Sequence, residues 1–215
     1  MNRKTGLVAA TLISILPFNA LRCSLYRMVF GYAIKNARIG FGTVIFASSV
    51  TLDHCAIGRF NRFLGPMSVS VGLRADIESH NVFDCGDWAA DAEHADRYDR
   101  TLTIGEDTFI TNYHFFDVAG KLSIGAGSWI AGRGSQFWTH GVNVPDRNIS
   151  IGEKCYIGSA VRFAPGSGVG DHVIVGIGSV VTKRVESSNA LVAGFPAKVV
   201  REGRGWKTAE NTESP

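Results

Sequence analysis

Residues 149–185 read ISIGEKCYIGSAVRFAPGSGVGDHVIVGIGSVVTKRV, and this stretch decides the fold. An aliphatic or aromatic anchor returns at every sixth position, usually followed by Gly or Ala. The anchors are Ile151, Ile157, Phe163, Val169, Val175 and Val181. A period of six fits neither an α-helix nor an alternating strand. It predicts an all-β solenoid whose coils have three flat faces, with a short strand on each face and the anchors inside.

The repeat extends towards the N-terminus in a weaker form, and two segments interrupt it. The phase holds at Ile39, Ile45, Ile57, Phe63 and Val69, with Thr51 in one position, and it breaks at Ile77 and Val82. It restarts at Ile104, Ile110 and Phe116, then shifts to Ile124, Ile130 and Gln136. Residues 84–101 (DCGDWAADAEHADRYDRT) and 137–148 (FWTHGVNVPDRN) lack the pattern. We interpret both as excursions from the coil, of the kind that can line a site.

The repeat resembles that of the hexapeptide-repeat acyltransferases. Residues 193–201, AGFPAKVVR, are similar to the closing motif of that family, and residues 124–201 resemble the galactoside, maltose and polysaccharide O-acetyltransferases. The resemblance implies a left-handed parallel β-helix, an exception to the right-handed crossover rule. It also implies acetyl-CoA as donor, no metal cofactor, and a homotrimer with sites between subunits.

The N-terminal segment is basic and partly apolar. Residues 1–52 contain six Lys or Arg and no Asp or Glu. Pro17 is expected to stop a first helix, Asn19 to cap a second, and Gly31 to end it. The second helix is expected to turn Leu21, Leu25, Met28 and Val29 to one face, with Arg22 and Arg27 largely away from it. These helices are predicted to cap the open end of the solenoid, with contact to an anionic membrane as the functional alternative.

Composition places the chain among globular proteins. The hydrophobic content is 45%, the charged content is 19% and the net charge is +3, which argues against nucleic acid as the main partner. The four cysteines form no CxxC pair and no zinc spacing, so we expect reduced, buried thiols. The predicted domains are a cap over residues 1–36, a β-helix over 37–202 and a polar tail over 203–215. No export signal is recognised, so a cytoplasmic location is expected, with or without attachment to the inner membrane.

His140 is the candidate general base. Acyl transfer to a hydroxyl needs a group that removes the hydroxyl proton, and imidazole can do so near neutral pH. His140 stands in Thr139-His140-Gly141, inside the second excursion. In the resembling enzymes a histidine of the corresponding loop deprotonates the acceptor.

The resemblance also assigns a donor site. Ser159 follows Ile157-Gly158, as in the Trp-Ile-Gly-Ser motif of the galactoside enzyme, where the backbone N–H of the serine helps to hold the oxyanion. Tyr156 replaces the tryptophan of that motif. The positions that match coenzyme A contacts are Ser159, Ile177, Thr182, Lys183, Lys198 and Arg201. Ile177 replaces a small residue and would narrow the pantetheine groove, whereas the three cations suit phosphates.

His114 and Asp117 are the candidate acceptor residues. Asn and Asp of this region bind the acceptor in the resembling sugar acetyltransferases, and polysaccharide acetyltransferases carry a His with a nearby Asp. Asp117 could bind the acceptor or orient a histidine, and a structural role for both residues stays open.

The function expected from these residues is acetyl transfer to a sugar hydroxyl, in the synthesis of a bacterial surface polysaccharide. Serine O-acetylation and nucleotide-sugar N-acylation remain open because all of them use the same kind of donor. A zinc carbonic anhydrase needs three histidine ligands, and the usual His-x4-His pair does not occur. A non-catalytic scaffold would not require His140 together with Ser159 and the donor-site cations.

Overall fold

The six-residue spacing becomes a solenoid of short parallel strands. The computed structural model describes residues 2–206. Ile157 pairs with Val175 and Phe163 pairs with Val181 in neighbouring coils, so one coil takes three units of six residues. Each coil therefore contributes one strand to each of three faces.

Two α-helices precede the strands, α1 over Arg3–Ser14 and α2 over Asn19–Phe30. In chain order the strands are β1 Ala33–Lys35, β2 Arg38–Ile39, β3 Val44–Asp53, β4 Ala56–Ile57, β5 Arg62–Val71, β6 Asp76–Ile77, β7 Val82–Asp84, β8 Thr101–Ile104, β9 Phe109–Ile110, β10 Phe115–Asp117, β11 Lys121–Ile124, β12 Trp129–Ile130, β13 Gln136–Phe137, β14 Ile149–Ile151, β15 Tyr156–Ile157, β16 Arg162–Phe163, β17 Gly168–Val169, β18 Ile174–Val175, β19 Val180–Val181, β20 Arg184–Val185, β21 Ala190–Gly194 and β22 Ala197–Glu202. A 3-10 helix, Asp87–Ala90, lies between β7 and β8.

The strands form three faces. The first face contains the first halves of β3 and β5, followed by β7, β10, β13, β16 and β19. The second face contains β1, the second halves of β3 and β5, and β8, β11, β14, β17 and β20. The third face contains β2, β4, β6, β9, β12, β15, β18 and β21, and β22 closes it as an antiparallel strand. The predicted all-β solenoid with N-terminal helices is confirmed.

The anchors fill the interior, where the first face carries a column of stacked phenylalanine rings. Phe63, Phe83, Phe116, Phe137 and Phe163 follow one another with ring centroids 4.3, 4.4, 4.7 and 5.1 Å apart. All five side chains are fully buried. Identical positions in successive coils therefore bring identical side chains into contact, which makes the core continuous from coil to coil. The four cysteines are reduced and buried.

The predicted phase is wrong at one position in the N-terminal coils. Leu52, not Thr51, points inwards, and the pairing of β3 with β5 shifts register between Ala47 and Ser49. Where the sequence pattern breaks, Ile77 and Phe83 point inwards, and Phe83 joins the phenylalanine column.

The phase is also wrong by one residue at β13. Phe137 points inwards beneath Phe163, whereas Gln136 lies on the outer side of the face. The corner that follows Ile130 is one residue longer than the repeat, and both Gly132 and Gly134 have positive φ angles there, 67° and 77°. Glycine adopts this conformation without steric cost, so the corner accommodates the extra residue.

The N-terminal helices cover the exposed edge of the first coil with side-chain hydrogen bonds. Asn19 Oδ1 accepts a hydrogen bond from Ile39 N–H, 2.8 Å, and Arg22 donates to the Ile39 carbonyl through Nε and Nη2, 3.0 and 2.7 Å. Tyr26 Oη accepts from Ile45 N–H, 3.2 Å. Backbone groups of an edge strand need such partners when they are buried.

The predicted orientation of α2 is wrong. The helix buries Arg22, Cys23 and Tyr26, whereas Met28 is 73% exposed and Leu21 and Val29 are also exposed. Asn19 is the first residue of the helix and does not cap it, because its side chain binds the first coil instead. Gly31 ends the helix in the left-handed conformation, φ 70°, as predicted.

Two loops leave the coil, and the segment from β22 to Trp206 folds back on it. Residues 85–100 connect β7 to β8, and residues 138–148 connect β13 to β14. Beyond β22, Arg204 N–H donates to Asn189 O and Trp206 N–H to His172 O. The remainder of the predicted tail, 207–215, lies outside the described residues. Within 2–206, no helix is both long and apolar enough to cross a membrane.

Candidate active site

His140 lies where the chain leaves the first face. It follows β13 and begins the loop 138–148, whose Gly141 lies over Pro165 of the next coil. The preceding residue, Thr139, is fully buried, and its backbone N–H donates to Asp117 Oδ2, 2.7 Å. The imidazole, 42% exposed, therefore projects from a fixed backbone towards solvent.

Asp117 binds the imidazole directly. Its Oδ2 lies 2.9 Å from His140 Nδ1 and 2.8 Å from Thr139 Oγ1, and the residue is 4% exposed. A carboxylate that already receives the Thr139 N–H acts as an acceptor, so Nδ1 of His140 carries a proton and donates it. The unprotonated Nε2 of His140 is then the nitrogen that can accept a proton from another molecule.

A second carboxylate lies beneath this pair. Asp84 occupies the position of Asp117 in the preceding coil, since the two residues are register partners in β7 and β10. Burial, together with the charge of Asp117, raises the pKa of Asp84. Asp84 thus places a second carboxyl group next to the carboxylate that binds His140.

The loop 85–100 packs against His140. The Trp88 ring lies 5.5 Å from the His140 ring, and Trp88 also contacts Tyr98 at 4.9 Å. The Arg147 guanidinium lies 4.8 Å from the centre of the Tyr98 ring, which links this loop to the loop that carries His140. The two excursions therefore meet over one site. The repeat could not assign Trp88 a place, because the residue lies outside its period.

His114 is placed differently from His140, although it directly precedes β10, the strand that ends with Asp117. It is 2% exposed, its Nδ1 accepts the Ser135 N–H at 3.1 Å, and its Nε2 lies 3.0 Å from Thr111 Oγ1. Burial lowers the pKa of His114 to about 4. Both ring nitrogens of His114 lie within hydrogen-bond distance of corner residues, so this position does not favour a contact with the acceptor sugar.

The predicted donor residues lie on two edges of the first face. The upstream edge is the corner through which the chain enters this face, and it holds Ser159 and Ile177 in successive coils, where Gly178 N–H donates to Ser159 O. Lys198 is close to this edge because it pairs with Ala193 at the end of β21. Ile177 is 78% exposed.

The downstream edge is the corner through which the chain leaves the first face. Thr182 and Lys183 follow β19 there, on the same edge as His140. A full strand of the face separates this edge from Ser159 in each coil. Arg201 pairs with Leu191, near the start of β21. A single chain thus brings His140 together with Asp117 and places Thr182 and Lys183 two coils further along the same edge, but it does not bring His140 to Ser159.

The backbone N–H of Ser159 is available as a hydrogen-bond donor at its corner. Within residues 2–206, no acceptor is hydrogen-bonded to this N–H, and a Cβ on Gly132 would stand 1.7 Å from Ser159 Oγ. Glycine at 132 therefore makes room for the serine, and an open backbone N–H is the kind of donor that an oxyanion needs.

Sequence comparison relates the chain to acetyltransferases. The chain is 44% identical over 54 residues to galactoside O-acetyltransferase of Escherichia coli (strain K12), a match that covers 25% of this chain and 26% of that protein. It is 33% identical over 115 residues to the putative colanic acid biosynthesis acetyltransferase WcaF of the same organism, with 49% and 60% covered. No protein-family model matches. The resemblance to sugar acetyltransferases is confirmed. The chain nevertheless spans less than two thirds of the length of either relative.

Solved structures agree with the fold. The polysialic acid O-acetyltransferase OatWY matches with a TM-score of 0.57 at 16% identity, over 85% of this chain and 90% of that one. A UDP-N-acetylglucosamine acyltransferase from Campylobacter jejuni matches with a TM-score of 0.51 at 15% identity, over 80% and 73%. At these identities the similarity concerns the fold.

Proposed function

We propose that this protein is an acetyl-CoA-dependent O-acetyltransferase that acts on a sugar hydroxyl. The observation that carries the proposal is the hydrogen bond between His140 Nδ1 and the buried Asp117 carboxylate, 2.9 Å, which leaves Nε2 free beside an open loop. Relatives named as galactoside and colanic acid acetyltransferases favour a sugar acceptor and a role in surface polysaccharide synthesis. The left-handed winding expected from the resemblance belongs to the same proposal.

The chemistry follows from the dyad of His140 and Asp117. Nε2 of His140 accepts the proton of the acceptor hydroxyl as its oxygen attacks the thioester carbonyl of acetyl-CoA. Asp117 stabilises the imidazolium that forms, and the negative oxygen of the tetrahedral intermediate needs a donor such as the Ser159 N–H. When the intermediate collapses, the C–S bond breaks and the imidazolium returns the proton to the leaving thiolate.

The donor groove is proposed between subunits. His140 and Lys183 on the downstream edge of one chain would face Ser159, Ile177 and Lys198 on the upstream edge of its neighbour in a homotrimer. Lys183, Lys198 and Arg201 would then meet the phosphates of coenzyme A as charge-assisted donors. This arrangement would unite the residues that one chain keeps apart.

The alternative functions would each require different features of this site. Serine O-acetylation and nucleotide-sugar N-acylation could use the same dyad, and the acceptor decides between them. A carbonic anhydrase would need a metal site, and within residues 2–206 no group of three or more His, Cys, Asp or Glu side chains could hold an ion. A scaffold without activity would not need a histidine whose Nε2 is available to accept a proton.

Replacement of His140 and Asp117 tests the proposal. His140→Ala should lower kcat for acetyl transfer to a glycoside by about 100- to 10,000-fold, because the base is lost. Asp117→Asn should lower kcat by about 10-fold or more, because the imidazole loses its orienting carboxylate. His172→Ala, which changes a histidine near the C-terminal chain end, is the matched control and should keep full activity. Wild-type kcat in a folded His140→Ala variant would refute the assignment.

We also propose that the protein lies in the cytoplasm and attaches to the anionic surface of the inner membrane. Val8 and Leu12 of α1 and Ile15, which follows this helix, are apolar residues that are 58%, 59% and 52% exposed, in a segment free of acidic residues. Exposed apolar residues beside cations suit an anionic interface.

Flotation with vesicles that contain an anionic phospholipid tests this location. Wild-type protein should float with the vesicles at low salt, and a variant with serine at positions 8, 12 and 15 should not. Ile177→Ser, which removes an exposed apolar residue elsewhere, is the control and should float. If the wild-type protein stays unbound, the helices only cap the solenoid.

A further inference from the structure

Two indole rings contact the imidazole of His140. The Trp88 ring lies 5.5 Å from it with an interplanar angle of 70°, and the Trp138 ring lies 6.2 Å from it with an angle of 72°. These separations are typical of edge-to-face aromatic pairs. As whole residues, Trp88 and Trp138 are each 36% exposed. The surface around the free nitrogen of His140 is therefore aromatic.

The Trp88 indole is held in place by its own loop. Tyr98 and His94 contact it edge-on, with centroids 4.9 and 5.7 Å away. The residue that follows it, Ala89, is fully buried, and Arg100 donates to the Ala89 carbonyl at 2.7 Å. The loop 85–100 is thus fastened to the coil, and its indole is presented in a defined position.

The Trp138 indole is held by the first face. Its ring packs on Phe115 of the preceding coil at 4.8 Å, and its Nε1 donates to Gln136 Oε1 at 3.3 Å. Trp138 also belongs to the segment that positions His140, because Thr139 between them is anchored on Asp117. The indole pair, Trp88 and Trp138, is therefore preorganised next to the proposed base.

We infer that this indole pair is the binding platform for the pyranose ring of the acceptor, an inference that rests on the proposed function. One face of a pyranose carries C–H groups, which are weakly positive, and the face of an indole is negative. Rings that are already fixed lose little conformational entropy when a ligand binds. A sugar lying on the indoles can bring a hydroxyl to Nε2 of His140. A small acyclic acceptor such as serine has no ring for this surface.

Gly86 offers a way to move one indole without removing it. A Cβ at this position would stand 2.2 Å from Trp88 Nε1, so Gly86→Ala must displace the ring. The backbone of Gly86 has a φ of −57°, which alanine adopts without strain. The substitution therefore tests the position of the Trp88 ring and leaves its chemistry intact.

The experiment measures the KM values of both substrates in a set of variants. The probes are acetyl-CoA and the methyl glycosides of galactose, glucose and N-acetylglucosamine. Trp88→Ala and Trp138→Ala should each raise the KM of the best glycoside by about 10-fold, as expected for the loss of an aromatic contact, with the KM of acetyl-CoA unchanged. Trp88→Phe and Trp138→Phe should restore most of the affinity, and Gly86→Ala should resemble Trp88→Ala. Trp129→Phe, an indole change on the third face, is the control.

The outcomes separate the platform from the reaction. An unchanged glycoside KM in both alanine variants, with transfer intact, overturns the platform and leaves the proposed function standing. A fall in kcat alone, at constant glycoside KM, likewise overturns it, because the indoles would then only position His140. Transfer to L-serine and to none of the glycosides would overturn both proposals. If the wild-type protein binds acetyl-CoA but shows no saturation transfer to any glycoside by NMR, the platform is wrong.

Discussion

His114, which precedes β10, and Asp117, which ends it, show how position decides the role of a polar side chain. His114 turns into a corner, where the protein uses both nitrogens and burial lowers its pKa to about 4. Asp117 turns towards the loop 138–148 and binds His140. One residue stabilises the coil, and the other supports the proposed chemistry.

The buried His114 should make stability depend on pH. Its folded-state pKa, about 4, lies below the ordinary value of 6.5, so the unfolded chain takes up the proton first as pH falls. The contribution of His114 is complete above pH 6.5 and is lost between pH 6.5 and 4, by up to about 3 kcal/mol.

Urea denaturation of the wild-type protein and of His114→Gln across this pH range measures the effect. The variant should be less stable near pH 7, yet its free energy of unfolding should fall less steeply towards pH 4. Two parallel curves would show that His114 does not titrate with folding.

Sequence reasoning at the residue scale identified the proposed base but not its surroundings. His140 stands in a short motif, and Asp117 was recognised as a residue that could orient a histidine. Trp88 follows β7, two coils before His140, and lies outside the repeat, so no periodicity could place it. Its contact with the imidazole depends on how the loop 85–100 folds back.

At the scale of elements, the repeat determined the strands far better than the helices. Six-residue spacing specifies which side of a strand faces inwards. It failed before Phe137, where a corner gained a residue, and at Leu52, where the pairing of β3 with β5 shifts register. The predicted orientation of α2 was wrong because amphipathic patterning assumes that the apolar residues of a helix are the buried ones. The edge of the first coil needs hydrogen-bond donors, and Arg22 supplies them from the buried side.

Arg22 should therefore matter more for stability than any apolar residue on the exposed side of α2. Arg22→Met keeps the length of the side chain but leaves the Ile39 carbonyl without its charged donor. The loss should cost about 2–3 kcal/mol in the free energy of unfolding, typical of a hydrogen bond with a charged partner. Lys4→Met, which changes an exposed cation on α1, is the matched control and should cost little. Equal urea midpoints for the two variants would refute the capping role.

At the scale of the molecule, the three faces explain why the candidate site is divided. His140 and Lys183 lie on the downstream edge of the first face, whereas Ser159 and Ile177 lie on the upstream edge. The repeat predicted each coil but not the division of the site, which arises because a strand of the first face separates the two edges in each coil. A site that uses both edges requires two copies of the chain, as in a closed cyclic oligomer.

Mixed oligomers test this division directly. His140→Ala disables the downstream edge, and Ile177→Trp, at a residue that is 78% exposed, should block the upstream edge without disturbing the core. Each variant alone should be inactive. In a random mixture, a site regains both intact edges when the Ile177→Trp chain supplies His140 and the His140→Ala chain supplies Ser159. About a quarter of the sites in that random mixture should be active, since each of the two edges is intact with a chance of about one half. Purification of differently tagged chains through both tags leaves only mixed oligomers, and in a mixed cyclic trimer about a third of the sites should be active, because one of the three interfaces unites the two intact edges. If that oligomer is inactive, or if light scattering shows that the active wild-type protein is a monomer, each site is complete within one chain and the proposed trimer is wrong.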